Sequence, residues 1–147
     1  VLNAVDLANG AHVLEIGCGS GCVSLGLAAR DSSIEVHAID SSARAVSCLQ
    51  QSAAENELPN ITVSLEAEGV VPDPGCYDLV LANPPYYSDF RIAEMFVESA
   101  RAALAPGGTL LLATKQPLWY LEQLPENWND VAQELVKGYH LIEAVRP

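Results

Sequence analysis

Along the chain, short apolar runs rich in Val, Ile and Leu alternate with longer stretches of helical period. That alternation predicts βαβ units around a buried parallel sheet. Residues 12–17 (HVLEIG) read as a first strand, followed by a glycine-rich turn and a helix from about 20 to 30. Residues 34–40 (IEVHAID) read as a second strand, and Ser41 and Ser42 are placed to cap a helix whose Ala45, Val46, Leu49 and Ala53 share one face. A third strand is expected at 61–65, and Pro72-Asp73-Pro74-Gly75 cannot continue its ladder. The fourth spans 77–82. After Asn83-Pro84-Pro85 the period turns helical from about Asp89, with Ile92, Met95, Phe96, Ser99 and Ala103 on one stripe, until Pro106-Gly107-Gly108 stops it. Residues 109–114 form a fifth strand, and strands at 132–136 and 139–145 flank Lys137-Gly138 as a hairpin. The expectation is an α/β fold: a doubly wound, mostly parallel seven-stranded sheet with an antiparallel C-terminal hairpin. Without repeat or linker, it covers 1–147 as one domain.

Composition narrows the class. Half of the 147 residues are apolar and 18% are charged, which suits a folded domain and not a disordered chain. No apolar run approaches the ~18 residues that cross a bilayer, so no membrane span is expected. Seven Lys+Arg against 19 Asp+Glu give a net charge of −12, which repels nucleic-acid phosphates. On that count the domain alone should bind RNA poorly. The start at Val1-Leu2-Asn3-Ala4 has neither an initiator Met nor a leader pattern, so an excerpt of a longer chain, with a partner domain beyond it, is expected. Cysteines at 18, 22, 48 and 76 form no CxxC pair, and His12, His37 and His140 have no ligand spacing. No metal is expected. Free thiols point to a reducing, cytoplasmic setting.

Candidate chemistry gathers at strand ends. In Glu15-Ile16-Gly17-Cys18-Gly19-Ser20-Gly21, three alternate glycines let the backbone turn tightly between the first strand and a helix N-terminus. The GxGxG spacing differs from the GxGxxG of dinucleotide sites. Glu15 would repel a pyrophosphate and instead suits an amine-bearing ligand. Asp40 ends the second strand, where a carboxylate accepts the hydroxyls of a ribose; capping the next helix is its plainer use. Asn83-Pro84-Pro85-Tyr86 follows the fourth strand at the same edge. Its prolines stiffen the backbone and lack donors, so the Asn83 amide and the Pro84 carbonyl are presented to an N–H-bearing group.

These motifs in this order (VLEIGCGSG at 13–21, Asp40, NPPY at 83–86, PGG at 106–108) resemble class I S-adenosylmethionine-dependent methyltransferases, with a Rossmann-like fold, over nearly the whole chain. NPPY is similar to the variant in enzymes that methylate a planar nitrogen: an exocyclic base amine or a glutamine amide. The length and closing hairpin look most like the "methyltransferase small" domain of ribosomal RNA guanine-N2 methyltransferases. Members of that group more often carry Phe at the position of Tyr86. The Tyr86-Tyr87 pair is also similar to tRNA adenine-N6 and protein glutamine methyltransferases.

The resemblance implies S-adenosylmethionine as cofactor and RNA, foremost ribosomal RNA, as partner. It implies that Gly17, Cys18, Gly19 and Gly21 admit the methionine part, that Glu15 orders its amino group and that Asp40 holds the ribose. Counting back from Asn83 puts Glu68 at the adenine, where the family has Asp or Asn. Asn83 and Pro84 would accept the hydrogens of the acceptor amine and Tyr86 would stack on the flipped base; Asn83 also borders the cofactor. Lys115, ending the fifth strand, is a candidate phosphate contact. Trp119, Tyr120 and Trp128 are read as packing or as a substrate lip.

Overall fold

The computed structural model describes residues 7–85 and 90–147. Seven strands form one sheet: β1 (His12–Ile16), β2 (Glu35–Asp40), β3 (Ile61–Leu65), β4 (Tyr77–Ala82), β5 (Leu104–Thr114), β6 (Asn129–Val136) and β7 (Tyr139–Val145). The order is β3-β2-β1-β4-β5-β7-β6, parallel from β3 to β5 and antiparallel in the last two pairings. Four helices, α1 (Cys22–Arg30), α2 (Ala43–Glu55), α3 (Arg91–Ala103) and α4 (Leu118–Gln123), and a 3-10 turn (Leu124–Glu126) complete the fold.

Both faces of the sheet are covered, as near-continuous apolar strands require. Leu27 and Ala28 of α1 pack with Val13, Val36, Leu79, Leu81 and Leu111 on one face. Phe96, Ala100 and Ala103 of α3 pack with Leu14, Val80, Leu110 and Leu112 on the other. Ser42 caps α2 by accepting from the Ala45 N–H at 3.4 Å. Asn60 substitutes for a cap on α1: its Nδ2 donates to the carbonyls of Ala28 at 3.2 Å and Ile34 at 2.9 Å, which ties the helix end to the start of β2.

Boundaries depart from the sequence expectation in three places. Helix α1 starts at Cys22 because Gly21, at φ +75°, is still left-handed loop. Strand β5 begins at Leu104, not Thr109: Leu104 pairs with Tyr77, the register slips, and Thr109 then pairs with Leu79. Pro106, Gly107 and Gly108 are thus a bulged part of the strand. Gly107 adopts φ +80° and donates to Arg146 O, and Arg146 N returns a bond to Gly108 O, each 2.9 Å. Strand β6 begins at Asn129, three residues early, with a similar slip around Asp130.

Register sets up everything that follows. Ile16 lies opposite Ile39 in β2 and Ala82 in β4. The next residues, Gly17, Asp40 and Asn83, therefore emerge abreast at the carboxyl edge. The chain reverses its direction of winding between β1 and β4, the switch point at which open α/β sheets leave a crevice.

Candidate functional site

A cleft of about 560 Å³ opens at that edge, a size typical of small-molecule sites. Gly17, Asp40, Ser41, Glu66, Asn83 and Pro85 line its polar side; Ile39, Ile92, Met95 and Phe96 form an apolar wall. Gly17, Gly19 and Gly21 all have positive φ, as a tight loop at this place demands. At Gly17 a Cβ would lie 3.1 Å from Phe96 Cζ, so the glycine keeps the cleft clear between loop and wall. At Gly21 a Cβ would lie 2.3 Å from Leu49 Cδ1, so this glycine serves the packing of the loop on α2.

The loop's N–H groups are largely spent on the protein itself. Gly17 and Cys18 donate to Ile39 O at 2.8 and 3.1 Å, and Gly21 donates to Cys18 O at 2.8 Å. Gly19 donates to Asp40 Oδ2 at 2.8 Å, while Asp40 Oδ1 accepts from Ser42 N at 2.8 Å. Asp40 therefore ties the loop to Ser42, the N-cap residue of α2, and faces the cleft as well.

Glu15 is buried beneath the loop on the α1 face and does not line the cleft. Its Oε2 accepts from Ser24 N at 3.1 Å and from the Ser24 hydroxyl. Burial raises its pKa, the Ser24 bonds oppose that, and the charge of Asp40 adds to it. Cys18 turns inward against Ala38 and Leu49, and burial pushes its thiol up to about 12, so it contributes backbone and no nucleophile.

Of the other sequence candidates, Asn83 reaches the cleft with Pro84 fully buried behind it. Tyr86 and Tyr87 lie outside the described residues. Glu68 is exposed and does not line the cleft, whereas Glu66 does. Leu65 pairs with Asp40, so the residue one step beyond the strand, Glu66, reaches the edge beside it. The signal is the end of β3; counting back from Asn83 misses it because the 66–76 connection is an irregular loop. Met95 and Phe96, core positions by their helical period, are also the wall of the cleft. Lys115 is exposed and holds its Nζ 5.0 Å from the Tyr139 ring centroid. Trp128 and Tyr120 are buried packing.

The family model for the methyltransferase small domain matches residues 1–143. The chain belongs to that family. Among curated relatives of this methyltransferase domain, "Ribosomal RNA small subunit methyltransferase C" of Pseudomonas entomophila is 29% identical over 124 residues, 82% of this chain and 37% of the relative. "Ribosomal RNA large subunit methyltransferase G" of Pseudomonas syringae pv. tomato is 32% identical over 133 residues, 84% of this chain and 34% of the relative. The chain thus spans little more than a third of the length of such relatives. In fold it matches TrmN from Thermus thermophilus, with a TM-score of 0.84 at 23% identity over 99% of this chain and 47% of that one. A SAM dependent methyltransferase from Aquifex aeolicus matches with a TM-score of 0.77 at 18% identity, over 99% of this chain and 87% of that one.

The cofactor of this class, S-adenosylmethionine, fits the residues present. The apolar wall of Ile39, Ile92, Met95 and Phe96 suits a purine, and the carboxylates of Asp40 and Glu66 suit sugar hydroxyls and a cationic sulfonium. No cluster that could hold a metal occurs among the described residues, and none of their helices is long and apolar enough to cross a membrane.

Proposed function

We propose that this methyltransferase domain transfers a methyl group to the exocyclic amine of a base in RNA, foremost guanine N2 of ribosomal RNA. The observation that carries this reading is the register: Asn83 stands one strand from Gly17 and two from Asp40, on the rim of the same cleft. The names of the relatives supply the substrate class.

Asp40 would accept the ribose hydroxyls, Glu66 would face the adenine amino group in place of Glu68, and Gly17 would admit the methionine part past Phe96. Glu15, held under the loop by Ser24, would act on the amino group of the methionine from below. When bound, the cofactor supplies an electrophilic methyl group on a sulfonium. The acceptor amine is a poor nucleophile because its lone pair is delocalised into the ring. Asn83 Oδ1 and the Pro84 carbonyl would accept its two hydrogens, favouring a pyramidal nitrogen with a freer lone pair. No strong base is needed, since the nitrogen becomes acidic on methylation; positioning carries the rate. Tyr86 would stack on the target base. Such a reaction on ribosomal RNA would take place in the cytoplasm.

Mass spectrometry of ribosomal RNA nucleosides from cells lacking the protein tests this. One N-methylated base should fall to near zero and return on complementation; an unchanged nucleoside profile overturns it. The net charge of −12 favours a second reading, a glutamine-N5 methyltransferase whose acceptor is a basic protein, while the Tyr86-Tyr87 pair keeps adenine N6 as the other base amine. Labelled methyl groups appearing in protein alone would select the glutamine reaction. Cofactor binding without transfer to RNA or protein would mark a non-catalytic module.

A further inference from the structure

The carboxyl edge of the sheet carries a second group of residues that the cofactor cleft does not use. Beyond Leu112, which pairs with Ala82 of β4 and Ile142 of β7, strand β5 runs on through Thr114, paired with His140, to Lys115. Lys115 therefore stands about two residues, or about 7 Å, further out along the sheet than Asn83, and one strand, or about 5 Å, to its side. Lys137 and Gly138, at φ +50° and +82°, make the two-residue turn that closes β6 onto β7 at this same end.

This placement is unusual for so acidic a chain. Lys115 and Lys137 are its two lysines, and the remaining cations are arginines at 30, 44, 91, 101 and 146. Between the lysines lies Tyr139, 37% exposed, with Lys115 Nζ 5.0 Å from its ring centroid. Phe90, at the start of α3, and Trp119, in α4, stack at 5.6 Å with planes 8° apart. Phe90 is 43% exposed and sits at φ +54° as the N-cap of α3, a conformation that costs a bulky residue free energy. Trp119 is anchored edge-on to buried Tyr120 at 5.0 Å. An exposed aromatic ring with a cation against it, as at Tyr139 and Lys115, offers what an unpaired nucleic-acid strand requires: a stacking surface for a base and a point charge for a phosphate.

Resting on the RNA reading above, we propose that Lys115, Lys137 and Tyr139, continued by the Phe90–Trp119 stack, form a lip that holds the single-stranded RNA flanking the target nucleotide. The lysines pair with backbone phosphates, and the aromatic faces take neighbouring bases while the target base turns into the cleft. The charge of −12 over the whole chain keeps RNA confined to this edge.

The test uses ribosomal RNA and ribosomal subunits from cells lacking the protein, labelled S-adenosylmethionine and a salt series. The double variant Lys115→Ala/Lys137→Ala should raise KM for RNA at least tenfold, leave kcat within about twofold and leave the cofactor Kd unchanged. The slope of log KM against log salt should become shallower by about 1.4, since each single-strand phosphate that a lysine neutralises adds about 0.7 to it. Tyr139→Ala should raise KM about tenfold, and Tyr139→Trp should restore it. Wild-type KM and salt slope in the double variant would overturn the lip while leaving the RNA reading intact. Failure of the wild type to label RNA, with label in protein, would overturn both.

Discussion

Asp40 holds the glycine loop by accepting the Gly19 N–H on Oδ2 at 2.8 Å. Its other oxygen accepts the Ser42 N–H at the same distance, so one carboxylate joins the loop after β1 to the start of α2. The side chain that braces the scaffold also lines the cleft. Asp40→Ala should weaken S-adenosylmethionine binding at least tenfold in calorimetry and also lower the unfolding midpoint, since each hydrogen bond to a charged acceptor contributes about 1.5–3 kcal/mol at most and less where exposed. Wild-type affinity in the variant would remove Asp40 from the site.

The role proposed for Asn83 predicts that its replacement separates binding from chemistry. Asn83→Ala should retain cofactor affinity within about threefold and lose about 100-fold in kcat on RNA, the order of loss expected when a reacting group is no longer positioned. Single-turnover rates with saturating cofactor make the comparison. Unchanged kcat would exclude the amine-accepting role.

Two of the loop glycines, Gly19 and Gly21, should rank by what a side chain would meet. Gly21→Ala places Cβ against fully buried Leu49, which cannot withdraw, and keeps φ at +75°. A loss of about 2–4 kcal/mol is expected from overpacking and left-handed strain together. At Gly19 nothing lies within 4 Å of the added Cβ, so only the strain of φ +54° remains, about 1 kcal/mol. Urea denaturation of both variants should show that order, and equal losses would contradict it.

Glu15 makes stability fall as pH rises. Its folded-state pKa lies above the usual carboxylate value, chiefly through burial, so the native protein binds the proton more tightly than the unfolded chain. The stabilisation from protonated Glu15 is complete below the unfolded value of about 4.3 and is lost as pH climbs through the raised one. Glu15→Gln keeps an acceptor for Ser24 and should abolish this component. Denaturation midpoints of the two proteins from pH 4 to 8 should therefore diverge, with the variant gaining on the wild type; parallel curves would refute the assignment.

His37 acts in the opposite sense. Its Nδ1 is 3.2 Å from the Tyr77 hydroxyl, and burial lowers its pKa although the carboxylates of Asp73 and Glu66 partly offset this. The unfolded chain takes up the proton first, so stability present above about pH 6.5 is lost as the pH falls through the lowered value. Replacing His37 with Gln should flatten the wild-type decline between pH 7 and 5 in thermal unfolding. An identical decline in the variant would place the cause elsewhere.

Much of this architecture is legible in the order of residues because strands and helices are periodic. The runs at 12–16, 35–40 and 77–82 announce buried strands, and the stripe of Ile92, Phe96, Ser99 and Ala103 announces α3. Pro106-Gly107-Gly108 reads as the stop of the preceding helix, because such residues break helices; that helix ends earlier, at Ala103, and the bulge in β5 after the Leu104–Tyr77 pair absorbs the three residues. Glu68 follows from counting alone, and an irregular loop does not preserve a count. Cys18 reads as bordering a ligand, whereas its side chain turns inward against Ala38 and Leu49, and Glu15 takes the α1 face of β1, where Ser24 holds it under the loop.

Most strands and helices, their parallel pairing and the motif residues at strand ends can be read from residue order, since these follow from local periodicity and backbone chemistry. Which of those residues share a cavity is settled by the three-dimensional arrangement. That depends on strand register and on which face each side chain takes, and both are fixed by contacts between segments far apart in the chain: Ile16 with Ile39 and Ala82, Asp40 with Leu65, Gly21 with Leu49.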